Sequence, residues 1–120
     1  MYIRQGVIFS FQDALEMQPK SRLKIILDTL DLEPIIEKLV QLKKSNKGPH
    51  GYPYHALLNA LIAMRIENMN GFTHLVYRLT YDPYLRYICG FDPFGKVPSI
   101  STFSRFYAVI AEFNFLEELF

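Results

Sequence analysis

The 120-residue chain has the length of one domain, and half of its residues are apolar, enough to close a core without disulfides or metals. A formal charge of +1 excludes a protein that coats nucleic acid through bulk charge and leaves only a local basic patch for that purpose. Ten phenylalanines and eight tyrosines argue against disorder, and the single cysteine, Cys89, excludes an internal disulfide and suits a reducing cytosol.

Residues 1–19 show no clear period. Val7, Ile8, Phe9 and Phe11 fit either a short extended stretch or a packed arm. Arg4 followed by polar and acidic residues does not make a secretory leader. The apolar run 56–64, interrupted by Asn59, is about half of the ~20 residues that a membrane-spanning helix needs. The expectation is a soluble, cytoplasmic protein in which residues 20–120 form one helical domain behind an N-terminal arm.

From Ser21 the spacing turns helical. Leu23, Ile26, Leu27 and Leu30 fall at i, i+3, i+4 and i+7 and share one face. Asp31 then has the place of a cap for a second helix, with Pro34 tolerated in its first turn. Ile35, Ile36, Leu39, Val40 and Leu42 supply that helix's apolar side. Residues 43–51, KKSNKGPHG, read as a loop, since glycine and proline break the helix and no apolar residue anchors it.

Pro53 stands at the start of a third helix, residues 54–68, which is apolar nearly all round and is therefore expected to be central. Asn70-Gly71 is the expected stop. Thr73 has the place of the next N-cap, with Phe72 and Tyr77 as a hydrophobic staple and Leu75, Val76 and Leu79 facing inward. Asp82-Pro83 is a strong start signal for a short helix carrying Tyr84, Leu85 and Ile88, which Gly90 ends.

A turn-rich stretch, FDPFGKVP, leads to Ser99, the expected cap of the last well-marked helix. Phe103, Phe106, Tyr107 and Ile110 form its apolar stripe, again at i, i+3, i+4 and i+7. Asn114 is placed to interrupt this helix before residues 115–120. The closing LEELF is an amphipathic turn with nothing downstream to complete it, which points to a longer parent; a short terminal helix docked on the core is the other reading. The fold class is all-α, a single bundle of about six or seven helices with a helix-turn-helix-like C-terminal half.

The most informative stretch for function is PSISTFSRF, residues 98–106. A helix that enters the major groove needs small hydrogen-bonding side chains in its first turns and apolar ones at the spacing that ties it to its support. Ser101, Thr102, Ser104 and Arg105 make the expected polar face, opposite Ile100, Phe103 and Phe106. Amides at the helix start can receive a phosphate oxygen beside Ser99, and Arg105 can reach a phosphate or a guanine edge. The bland alternative is that Ser99 and Thr102 simply cap the helix.

Lys43, Lys44 and Lys47 can hold phosphates and add a salt-dependent contribution, or belong to a solvated loop. Arg78 and Arg86 either add positive potential or pair with Asp82. His50, His55 and His74 are 5 and 19 residues apart, which matches no compact zinc pattern. Cys89, His74 and Asp82 can be assembled on paper into a nucleophile, base and orienting acid, but nothing in their placement supports that. No phosphate-cradling glycine loop is present. The sequence therefore predicts no catalytic residue, no metal site and no cofactor in this chain.

Four segments also recur in a known order. GYPYHALLNALIAM at residues 51–64, GFTHLVYRL at 71–79, DPYLRYICGF at 82–91 and VPSISTFSRFYAVI at 97–110 together resemble the InsH-like N-terminal domain of insertion-sequence transposases. The resemblance runs over roughly residues 47–113. It implies a domain that binds double-stranded DNA at element ends and precedes a DDE catalytic domain, in which carboxylate-held divalent metals cut and join DNA. The aromatic excess and the near-neutral charge favour the alternative, a protein–protein module that dimerises the transposase or docks on its catalytic domain. Weak overall basicity, and the aspartate, proline and glycine between Phe91 and Lys96, depart from many members.

Overall fold

The computed structural model describes residues 21–43 and 51–112. Among them the regular structure is helical: α1 (Arg22–Thr29), α2 (Glu33–Lys43), α3 (Tyr54–Ile66), α4 (Phe72–Tyr81), α5 (Pro83–Cys89) and α6 (Ile100–Glu112). The fold is all-α. No helix among the described residues is long and apolar enough to cross a membrane. The predicted arm at 1–19, the interruption at Asn114 and the closing LEELF lie outside the described residues.

α3 is the centre. Tyr54, Ala56, Leu57, Leu58, Ala60, Leu61, Ile62 and Ala63 are all buried, so apolar side chains point outward around almost its whole circumference. Such a helix leaves water only when neighbours cover it on several sides. α1, α4, α5 and α6 do so. α2 adds Ile35 and Leu39 to the core from its own apolar stripe, Leu32 is buried just before it, and Glu33 at its start meets His55 at 3.1 Å.

The helix ends follow from short polar side chains and left-handed residues. Ser21 Oγ accepts from Lys24 N–H at 3.1 Å and starts α1. Asp31 Oδ1 accepts from Glu33 N–H at 3.1 Å, and Pro34 sits in the first turn of α2. Asp82 Oδ1 accepts from Leu85 N–H at 3.1 Å, with Pro83 next to it at the start of α5. Gly90 closes α5 with φ 107°, a conformation that glycine adopts without a Cβ clash.

Three boundaries differ from the sequence expectation. α3 stops at Ile66, before Asn70-Gly71, because Asn68 takes the left-handed conformation with φ 53°. Met69 N–H then bonds Met64 O at 2.9 Å, and Met69 folds back into the core. Gly71, extended rather than left-handed, precedes α4, and Thr73 lies inside its first turn without a cap bond. The staple is also absent. With Phe72 already helical, Tyr77 lies about 140° round the axis from it. Phe72 instead meets Tyr107 of α6 edge-on at 5.7 Å, and Tyr77 pairs with Tyr81 at 4.9 Å. Lastly, α2 extends through Lys43, which the sequence assigned to the loop.

Core burial on one side of α6 makes a contrast that denaturation can read. Phe103→Ala, which empties a fully buried position, is expected to cost about 3–5 kcal/mol. Ser104→Ala, on the exposed side, should stay within about 0.5 kcal/mol of the parent. Urea unfolding followed by circular dichroism measures both.

Candidate nucleic-acid interface

α6 is amphipathic in a way that separates support from display. Phe103, Phe106 and Ile110 are buried and tie it to α3 and α4. Tyr54 at the start of α3 stacks on Phe106 with ring centroids 6.1 Å apart. On the opposite side Ser101, Ser104, Arg105 and Ala108 are exposed. These are small side chains beside one cation, so a ligand can come close to the helix backbone there.

Ser99 and Thr102 have other tasks. Ser99 Oγ accepts from Thr102 N–H at 3.2 Å and shares hydrogen bonds of 3.0 Å with the hydroxyls of Ser101 and Thr102. Ser99 is exposed and caps the helix. Thr102 is 1% exposed, so it belongs to the anchored side and not to the polar face where its sequence position put it. Its hydroxyl turns back onto Ser99, which is how a polar side chain is accommodated beside Phe103 and Phe106.

The other candidate cations are distributed unevenly. Arg105 is exposed and, among the described residues, meets no carboxylate. Arg78 bridges Glu67 at 3.5 Å and Asp82 at 3.7 Å, so it clamps the α3–α4 turn to the start of α5. Arg86 donates from Nη1 to Gly95 O at 3.3 Å and braces the turn before α6. Lys43 ends α2; Lys44 and Lys47 lie outside the described residues, so the lysine cluster is not placed against α6. The path from α5 to α6 occupies residues 90–99, longer than the three- or four-residue turn of a compact helix-turn-helix, and α6 leans on α3 and α4.

The histidines and the cysteine have local partners. His55 meets Glu33, and His74 Nδ1 accepts from Asn70 N–H at 3.2 Å; His50 lies outside the described residues. Burial, with a smaller contribution from the Asp82 charge, pushes the Cys89 thiol from 9.0 up to about 12. Asn59 Nδ2 donates to Cys89 O at 2.9 Å, which explains the polar residue in the middle of α3: it satisfies a carbonyl at the end of α5. Among the described residues no three His, Cys, Asp or Glu side chains converge.

One surface was not singled out from the sequence. Tyr77 and Tyr81 on α4 are 62% and 72% exposed. Their i, i+4 spacing, off the Leu75–Leu79 stripe, was the available signal, and the assignment of Tyr77 to a staple hid it.

With this geometry in place, comparison with protein families shows a match to a transposase domain (DUF772) over residues 11–108. The chain belongs to this transposase-domain family. No curated protein and no solved structure matches it. The matched span takes in the described helices almost whole and ends within α6, just past Arg105.

The transposase domain's buried thiol gives a chemical test of the α3–α5 packing. Iodoacetamide should leave native Cys89 unmodified at neutral pH and label it once guanidinium unfolds the chain. Equal labelling in both states would mean that this seam opens readily. Stability tied to the neutral thiol is whole below pH 9.0 and is lost as pH rises towards 12.

Proposed function

We propose that this transposase domain binds double-stranded DNA at the ends of an insertion element through the outward edge of α6, and that the catalytic carboxylates and their metals belong to another part of the transposase. The observation that carries the reading is the division of α6. Phe103, Phe106 and Ile110 are buried while Ser101, Ser104 and Arg105 face solvent. Small hydroxyl side chains permit close approach to base edges, and Arg105 supplies a fork that matches a guanine or a phosphate. Ser99 holds the helix start in place. Lys43, Lys44 and Lys47 would extend the contact along the backbone by displacing counterions.

A second reading has a specific observation behind it. Phe94 is 60% and Ile100 is 45% exposed just before and at the start of α6. Apolar surface there suits docking on a second copy or on the catalytic domain.

Fluorescence anisotropy with a duplex bearing element-end repeats separates the two. DNA binding predicts an affinity that falls steadily as salt rises, and a loss of about 1–3 kcal/mol in Arg105→Ala. No binding at low salt, together with a concentration-dependent oligomer in sedimentation, would select the docking reading.

A further inference from the structure

α4 turns one ridge of side chains away from the core. Leu75 and Leu79 are its buried residues, while Thr73, Tyr77 and Tyr81, at i, i+4 and i+8, are exposed on the other side. The ridge carries a hydroxyl at each position and no charge. Arg78, the cation of α4, lies about 60° round the axis from Tyr81 and is engaged by Glu67 and Asp82. Such a ridge suits a copy of itself. Two identical charged surfaces repel, whereas a hydroxyl both donates and accepts, so identical hydroxyl-bearing ridges can satisfy one another.

The two ends of the ridge differ in shape. At the Thr73 end a cleft of about 410 Å³ is lined by Asn70, Gly71, Thr73, His74 and Tyr77. Gly71 and Thr73 leave it open because they are small, and His74 is held to the turn by Asn70 N–H, which donates to Nδ1 at 3.2 Å. At the other end stands Tyr81, its ring braced by Tyr77 with centroids 4.9 Å apart. Bracing restricts the ring beforehand and lowers the entropy lost on docking. Cleft and knob therefore belong to one ridge, eight residues or about 12 Å apart.

That spacing matches a twofold axis at Tyr77. In an isologous contact each residue meets its counterpart equally far beyond the axis, so Tyr81 of one copy faces Thr73 and the cleft of the other. Ridges of i, i+4 spacing interdigitate at a crossing angle of about 50°. Four residues from the crossing point, about 6 Å along each helix, the axes have diverged by only about 5 Å, within the reach of a tyrosine side chain.

We propose that α4 is a homodimerisation helix: two copies of this chain pack their α4 ridges antiparallel about a twofold axis at Tyr77, each placing Tyr81 in the cleft beside the other's Thr73. The inference does not depend on α6 touching DNA, and the surface is distinct from the one around Phe94 and Ile100. A ten-residue helix is about 15 Å long, too short to bury the ~800 Å² per partner of a standard interface, so the dimer is weak and reversible.

The test is sedimentation equilibrium of the full 120-residue chain. Between about 10 μM and 1 mM, the range of weak interfaces, its mass should rise towards that of a dimer. Tyr81→Ala should weaken association about tenfold or more, because the twofold removes two knobs at once. Tyr77→Glu and Tyr77→Lys should each be monomeric, with like charges facing across the axis, and their equimolar mixture should dimerise again. That recovery also shows that both variants are folded. A parent that stays monomeric throughout the range overturns the proposal. So does a dimer that survives Tyr77→Glu and Tyr81→Ala but is lost in Phe94→Ala, which would place the contact before α6. A mixture that stays monomeric while the parent dimerises would contradict the axis at Tyr77.

Discussion

The architecture depends on α3 having no polar side of any size. A helix with apolar side chains around its circumference cannot sit at a surface, so the other helices are recruited to cover it. Each covering helix is left with one face committed inward and one face free. For α6 the committed face holds Phe103, Phe106 and Ile110, and the free face holds Ser101, Ser104 and Arg105. The division that gives the transposase domain a candidate DNA-contacting edge is thus a consequence of enclosing α3. The one polar residue within α3's core turns, Asn59, strengthens the same enclosure by bonding the end of α5.

A near-neutral chain can still present a surface suited to a polyanion if its charges are sorted in space. Here the first turns of α6 display hydroxyls and an arginine, and the exposed acid of that helix, Glu112, stands at its far end. Arg78 and Arg86 are spent on internal bracing, which lowers the basic charge free for a ligand. On the proposed DNA-binding reading, affinity would come from a few well-placed donors more than from bulk attraction, and isolated binding would be modest and sensitive to salt.

Most of each helical stripe was readable in advance because burial repeats at 3.6 residues and few other patterns imitate it. Leu42, Ile100 and Tyr107, assigned to apolar faces, are instead exposed, since each lies at an element end or at the margin of its stripe, where the described neighbours leave it partly uncovered. The signals at Ser21, Asp82-Pro83, Gly90 and Ser99 also located true helix ends, since each supplies a specific backbone hydrogen bond or conformation. The stop after α3 was misplaced because two residues in close succession, Asn68 and Gly71, can both take the left-handed conformation, and only tertiary packing of Met69 chooses between them. Thr73 failed as a cap for a related reason: the edge contact of Phe72 with Tyr107 draws Phe72 into the helix. Local sequence contains nothing about Tyr107.

The candidate site was legible to the same degree. Periodicity placed Ser101, Ser104 and Arg105 outward. Thr102 was misassigned because polar character was taken as a sign of exposure, whereas its hydroxyl is satisfied by Ser99 beneath the surface. The exposed tyrosines escaped notice because aromatic residues are most often core, and exposure depends on which neighbours a helix acquires. The most direct measurement is an amide-resolved NMR titration of the chain with a DNA duplex. One-sided anchoring of α6 predicts that Ser101, Ser104 and Arg105 shift while Asp31, Glu33 and Glu37 stay in place. Shifts centred on α1 and α2, with α6 silent, would contradict it.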